Sequence, residues 1–254
     1  TFLPSGLHGS TMMRRVLVVL PLLCRVSHAL QGRGQLRHGS GLGISVVHRP
    51  ATGSARFHAS AEDAAGVQPL EEEIDPGVVS GLSIIKYPDP RLRADNAEIT
   101  VFDDNLKALS RKMFDLMYAA QGVGLAAPQV GINKRLMVYN EFGDPKKWVS
   151  EIVLVNPQII DRAAGNDEET EGCLSFPGMN GPVKRAPWIQ VQAQNLKGRK
   201  FKKKFRGFEA RIFQHEYDHL DGVVYIDHLD DQAREAVQPR LEELVAEFGE
   251  GGAL

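Results

Sequence analysis

The sequence predicts an α+β fold with mainly antiparallel sheet, helices toward both ends and one more helix between. Two observations carry this. Strand-like segments precede and separate three helical patterns without the regular strand–helix alternation of a parallel sheet. The stretch Trp188 to Gln194 (WIQVQAQ) alternates apolar and polar residues and runs into Asn195-Leu196-Lys197-Gly198, a turn that sends a second strand back. The 254 residues suffice for one domain with its own core plus extra segments, and no internal repeat is present.

The front of the chain has a different composition from the rest. Residues 1–61 hold seven arginines, no lysine and no acid, so the overall net charge of −2 divides into +7 there and −9 beyond. Met12-Met13-Arg14-Arg15 is a basic start, Val16 to Cys24 (VLVVLPLLC) an apolar run, and Ser27-His28-Ala29 a small-residue cleavage pattern. Leu30 to Ser60 is rich in Arg, Ser and Gly, as organelle transit peptides are. Residues 1–61 are therefore expected to be a targeting presequence, signal-like over 12–29 and transit-like over 30–61. This is the two-part address of a plastid wrapped in extra membranes, with plain secretion as the rival and the mitochondrion ranked lower. The apolar run is too short to span a bilayer, so no stable membrane insertion is expected. Five of the eight histidines lie in this segment, which leaves His215, His219 and His228 for the remainder. Of the two cysteines Cys24 is in the presequence, so the mature chain has Cys173 alone and no disulfide framework.

Residues 62–80, acidic and then Pro/Gly-bearing, read as a linker, and 81–254 as the folded domain. Leu82 to Tyr87 is a strand expectation stopped by Pro88. Thr100 and Asp103 have the form of a capping box, and Leu106, Leu109, Met113, Leu116 and Met117 follow at helical spacing, predicting a helix from Asp103 to Ala120. Strands are expected over Arg135–Tyr139, Glu151–Val155, Trp188–Gln194 and Arg199–Phe205. Seven basic residues fall within Lys197–Arg206. They are either the solvated face of a hairpin or a surface that attracts RNA phosphates, for instance on a ribosome. Phe201 and Phe205 share one face there, which fits packing. A helix is expected over Phe208–Leu220 between Gly207 and Gly222, and a last one over Asp230–Phe248, broken or restarted at Pro239.

The chemistry concentrates in Gln214 to Gly222, QHEYDHLDG. At i and i+4, His215 and His219 project from one helix face and can share one metal ion. Glu216, about 100° around the helix from His215, is free to act as a base. A catalytic metal needs a third protein ligand. Downstream, Asp227, His228 and Asp230 are available but form no familiar motif. Upstream, Glu171-Gly172-Cys173-Leu174-Ser175 presents Cys173, a soft ligand suited to zinc or ferrous iron, or else a buried structural thiol. A third stretch, Gly122 to Gly131 (GVGLAAPQVG), combines glycines that permit close backbone approach with the amide of Gln129.

Taken together, Gly122–Gln129, Glu171–Ser175 and Gln214–Gly222 resemble, in order and in content, the G-x-G-L-A-A-x-Q, E-G-C-L-S and Q-H-E-x-D-H-L-x-G motifs of the peptide deformylases. The resemblance runs from about Ile84 to Phe248 and is closest to the plastid and bacterial type. It implies a metal-dependent hydrolase that removes the N-formyl group from the N-terminal formyl-methionine of newly synthesised proteins and releases formate. It also implies mainly antiparallel sheets around a central metal-binding helix.

Residue by residue, the resemblance implies Cys173, His215 and His219 as metal ligands and Glu216 as general base. Gln129, through its side-chain amide, and Leu174, through its backbone N–H, become oxyanion donors. The nascent chain is expected against Val123, Gly124 and Gly178, and the methionine side chain against Val123, Phe208, Ile212 and the stem of Arg211. Glu171, Arg185 and Asp218 are expected to orient the ligands. Fe²⁺ is the implied native metal, with Zn²⁺, Ni²⁺ or Co²⁺ able to substitute. Nascent formyl-Met polypeptides are the implied partners, with a transient ribosome contact through 197–206 and no DNA. Two rivals stand beside this reading, a zinc endopeptidase and a metal-stabilised RNA-binding module. Neither requires Gln129, Cys173 and Glu216 together.

Overall fold

A computed structural model describes residues 74–249. The expected presequence, and the expected linker up to residue 73, lie outside the described residues.

Part of the expected linker is folded. Pro76–Ser80 form a short helix, α1, capped by the Asp75 side chain accepting from the Gly77 N–H at 2.8 Å, and Val79 is buried. Residues 82–86 belong to no helix and form no sheet ladder, contrary to the strand expectation over Leu82–Tyr87. Their backbone is tied instead to two loops, Ile85 N donating to Gln129 O at 2.8 Å and Tyr87 N to Ser175 O at 2.9 Å. Helix α2, Asp104–Ala119, starts one residue later than expected. Its N-cap is Asp103, whose side chain accepts from Leu106 N at 2.9 Å, a cap three residues on from Thr100.

Seven strands follow in two antiparallel sheets. Gly124–Ala126 (β1), Leu136–Tyr139 (β2), Ile152–Arg162 (β3), Trp188–Gln194 (β6) and Lys200–Arg206 (β7) make a five-stranded sheet in the order β1-β2-β3-β6-β7. Asp167–Cys173 (β4) and Phe176–Arg185 (β5) pair with each other alone. β3 runs past the expected end at Val155 because a bulge absorbs Asn156-Pro157. Asn156 takes φ +48°, and its side chain bonds Ile99 N, Ile99 O and Gln194 Oε1 at 2.8–2.9 Å.

Helix α3, Gly207–Leu220, lies on one face of the large sheet. Ile212, Phe213 and Leu220 pack there with Met137, Tyr139, Leu154, Ile189, Val191 and Phe205. Helix α2 covers the other face with Leu106, Leu109, Met113 and Met117 against Leu136, Val138 and Val155. Covered on both faces, β2 is buried throughout, which is why it reads as an unbroken apolar run. Each such fully buried side chain contributes about 1.5–3 kcal/mol.

Helix α4, Asp231–Phe248, closes a third cluster around β5, in which Val237, Leu241 and Leu244 meet Phe176, Met179 and Val183. The expected break at Pro239 is absent. Pro239 is exposed, so water can satisfy the carbonyl its ring leaves unbonded, while the apolar face packs continuously. No helix among the described residues is long and apolar enough to cross a membrane.

Candidate active site

Three segments far apart in sequence meet at one point. α3 supplies His215, Glu216 and His219, all buried. The helix is held in place by Gln214. Its Oε1 accepts from Ala186 N at 3.0 Å, and its Nε2 donates to Ala186 O and Ala210 O at 2.9 Å. Cys173 is the last residue of β4, just before the tight turn Leu174-Ser175 that leads into β5. Gln129 comes from the 3-10 turn Ala127–Val130 that follows β1, where its Oε1 accepts from Ala126 N at 2.8 Å. That bond fixes the amide and turns Nε2 toward Cys173 Sγ at 3.5 Å and Ser175 Oγ at 3.4 Å.

The ligand atoms of Cys173, His215 and His219 lie within 4.8 Å of one another, with Cys173 Sγ 3.3 Å from His219 Nε2. One thiol and two imidazoles, buried and convergent, are the donor set of a tetrahedral metal site with one position open. The downstream alternatives are engaged elsewhere. His228 Nε2 bonds Asp218 Oδ2 at 2.8 Å, Asp227 pairs with Arg93 at 2.7 Å, and Asp230 caps α4.

Glu171, fully buried, organises the support. Its Oε2 meets His215 Nδ1 at 2.9 Å and Arg185 Nη2 at 2.9 Å; its Oε1 accepts from Arg185 Nε at 3.0 Å and Arg211 Nη1 at 2.8 Å. Burial opposes a charge there, but the hydrogen bonds from His215 and Arg185 outweigh it and hold the carboxyl well below the usual carboxylate range. With Nδ1 occupied, His215 is left with Nε2 for the metal. Arg185 also bonds Asp218 through Nη1. Burial opposes the Asp218 charge too, yet His228 and Arg185 hold its carboxyl low. For His219, burial and then the nearby His215 push the imidazole down to about 3, leaving it neutral with a lone pair to give.

Glu216 differs from Glu171 in having no counter-ion of its own. Burial pushes its carboxyl up to about 7, and its Oε2 is buried without a hydrogen-bond partner. A carboxyl with that affinity takes up and releases a proton near neutrality. It lies against β1 so closely that a Cβ added at Gly124 would stand 2.4 Å from its Oε1.

The structure thus brings Cys173, His215, His219, Glu216, Gln129, Glu171, Arg185 and Asp218 into one connected group. Leu174 sits in the turn beside Cys173 and packs into the α2 cluster. Of the residues expected around the substrate, Gly124 adjoins Glu216, and Ile212 is fully buried with Val123 and Phe208 packed against its cluster. Gly178 takes φ +82° in β5. Arg211 has a part beyond the one expected for its stem. Its guanidinium is bound to Glu171, Val183 O and Asp167 O, so it serves as a second clamp on the carboxylate that orients His215. Sequence reading missed this, and missed the Gln214 clamp, because both act on partners that only β4 and β5 bring near. A polar cavity of about 360 Å³ lies by the β3 bulge, lined by Arg135, Gln158, Gln192 and Tyr217 among others, and none of the cluster's residues lines it.

Comparison with known proteins gives one consistent picture. Residues 82–235 match the family model described as polypeptide deformylase. The Arabidopsis thaliana protein named peptide deformylase 1B, chloroplastic/mitochondrial, is 40% identical over 239 residues, covering 92% of this chain and 85% of the relative. A plant peptide deformylase crystal structure superposes with a TM-score of 0.64 at 46% identity, covering 66% of this chain and 90% of that one. The Plasmodium falciparum peptide deformylase superposes with a TM-score of 0.64 at 43% identity, covering 65% and 96%.

Proposed function

Because this chain belongs to the polypeptide deformylase family, we infer the roles of its residues from a settled reaction. The reaction is removal of the N-formyl group from newly synthesised proteins by a metal-dependent hydrolase, with release of formate. The observation that carries the assignment of roles is the meeting of Cys173, His215 and His219 within 4.8 Å beside a buried, unpaired Glu216.

Cys173, His215 and His219 would hold the metal. When bound, it supplies Lewis-acid activation of water and of the formyl oxygen. Glu216 takes the proton of the attacking water on its free Oε2 and delivers it to the leaving amine nitrogen, which the proximity of its affinity to neutral pH permits. Gln129 Nε2, oriented by the bond from Ala126 N, donates to the oxygen that gains negative charge, and the Leu174 N–H provides the second donor. β1 is an edge strand of the large sheet, so an extended nascent N-terminus can add to it at Val123 and Gly124, and Gly178 is the proposed third backbone contact. Phe208, Ile212, Val123 and the stem of Arg211 supply apolar surface for the methionine side chain. Glu171, Arg185, Asp218 and Arg211 keep the ligands oriented.

Fe²⁺ is the working metal in this reading, and Zn²⁺, Ni²⁺ or Co²⁺ can occupy the same donors. A zinc-loaded protein as fast as an anaerobically prepared iron-loaded one would refute the preference. The plastid is the proposed destination, supported by the composition of residues 1–61 and consistent with the chloroplastic/mitochondrial name of the Arabidopsis thaliana relative. A fluorescent fusion of residues 12–80 that stayed in the cytosol would exclude it. The basic hairpin 197–206 is proposed to bring the enzyme transiently to the ribosome, where its substrates emerge.

The decisive experiment measures formate released from a formyl-Met tripeptide and from its non-formylated counterpart by the iron-loaded protein. Formate from the first only is expected. Glu216→Gln should keep its metal and lose about 10²–10⁴ in rate. Unchanged turnover in that variant would remove Glu216 from the role of base.

A further inference from the structure

We propose that the outer face of the β6–β7 hairpin is a binding platform for single-stranded RNA. The inference rests on the ribosome-contact reading of the hairpin and deepens it, naming the ligand and the atoms that hold it. The register pairs Trp188 with Arg206, Gln190 with Lys204, Gln192 with Lys202 and Gln194 with Lys200. Paired residues on antiparallel strands share a face, so these eight side chains stand together. The alternate residues Ile189, Val191, Ala193, Phe201 and Phe205 point to the core on the α3 side. Lys203 points that way too and is paired with Glu209 at 3.0 Å. The basic run therefore divides into an inner face that packs and an outer face of four cations opposite a tryptophan and three glutamines.

The four cations are exposed, and the tryptophan and glutamines are half-buried. Among the described residues Lys200, Lys202 and Arg206 make no ion pair, and Lys204 lies over the Trp188 ring with Nζ 3.4 Å from its centre. Two acids stand near the face: Asp161 of β3, opposite Gln190 and followed by Arg162, and Glu98, which shares a cavity with Gln192, Gln194 and Lys200.

Alternate strand residues recur every ~6.8 Å at about 3.4 Å per residue. That is the order of separation of successive phosphates on an extended single strand, so one phosphate can meet each cation. Beside Lys204 and Lys202, the amides of Gln190 and Gln192 offer both a donor and an acceptor to a base edge, while the Gln194 amide is held by Asn156 and the Gly198 carbonyl. A membrane fits the face poorly, since none of the exposed large apolar side chains belongs to β6 or β7.

The test is fluorescence anisotropy of a labelled 12-nucleotide oligouridylate with the full-length protein. The seven arginines of residues 1–61 are changed to glutamine in every sample, so that only the folded domain presents cations. Binding should weaken with salt at a slope of about −2 in log K against log [salt], from three free cations at about −0.7 each. The triple variant Lys200→Gln, Lys202→Gln, Arg206→Gln should bind about tenfold or more weaker while releasing formate at the unaltered rate, which shows it folded. Equal oligonucleotide binding by the variant, or binding to phosphatidylserine vesicles in place of RNA, would overturn the proposal. Cosedimentation with ribosomes is scored in parallel. If it persists while oligouridylate binding is lost, the platform stands and the hairpin's ribosome role falls.

Discussion

At the scale of single residues, two carboxylates on the same helix and its partner strand are set to opposite tasks by their surroundings. Glu171 receives four hydrogen bonds from Arg185, Arg211 and His215 and stays charged. Glu216, equally buried, has none on Oε2 and titrates near 7. Separation of two carboxyl affinities by environment is how one site holds an orienting anion and a proton carrier together. In the proposed mechanism, Gly124 leaves room for the second role. Gly124→Ala places a methyl within 2.4 Å of Glu216 Oε1, and the carboxylate, as the end of a side chain, will yield before the backbone does. Formate release should fall by about 10²-fold, the lower range for loss of a positioned base, with the thermal midpoint nearly unchanged. A variant that unfolded, or that kept full activity, would show that Gly124 serves some other purpose.

At the scale of elements, the β4–β5 hairpin matters most, because it delivers Cys173 to α3 and carries Glu171 and Arg185. Sequence reading did not find it. Its strands, DEETEGC and FPGMNGPVKR, are rich in acids, glycine and proline and have little intrinsic strand preference. They are extended because they pair with each other from Asp167–Arg185 inward, and because α4 packs against β5. Glu171→Gln would leave buried Arg185 with Asp218 alone and buried Arg211 with only the exposed Glu169, 3.6 Å away. Loss of one partner from a buried pair costs about 3–5 kcal/mol, and loss of a ligand's orienting partner weakens metal binding about 10–100-fold. Thermal unfolding and metal titration of this variant should show both effects, and an unaltered metal affinity would mean that His215 needs no orienting anion. By contrast, β6, β7 and α3 were legible to within a residue or two, since each has one apolar face and a turn or glycine at its ends.

At the scale of the whole molecule, stability rests on two apolar layers around the sheet and on polar ties between distant segments. One tie joins Arg93, just after the cis Tyr87-Pro88 turn, to Asp227 beyond α3, through two hydrogen bonds at 2.7 and 2.8 Å. Burial raises the Asp227 carboxyl, but the bonds from Arg93 and the Val224 N–H more than compensate, so its affinity in the folded protein is lowered. A depressed carboxylate contributes stability above its unfolded value near 4 and loses it as the pH falls through the folded value. Asp227→Asn should therefore lower the unfolding free energy by about 1 kcal/mol at pH 7, where the pair is a third exposed, and by progressively less below pH 4. A difference that persists undiminished at pH 2.5 would contradict this origin.

What the sequence determined by itself was local chemistry: two histidines one turn apart on a helix with a glutamate beside the first, one remaining thiol, one amide in a glycine-rich turn, the apolar run of β2, and the periodicities of α2, α3 and β6. Those signals survive because hydrogen-bonding period and side-chain spacing are properties of neighbours in the chain. Only the tertiary structure decided that Arg211 clamps Glu171, that Pro239 does not break α4, and that the basic hairpin has one packed and one open face. These depend on which residues, tens of positions apart, share a low-dielectric interior, where a charge stays only if another segment supplies its partner.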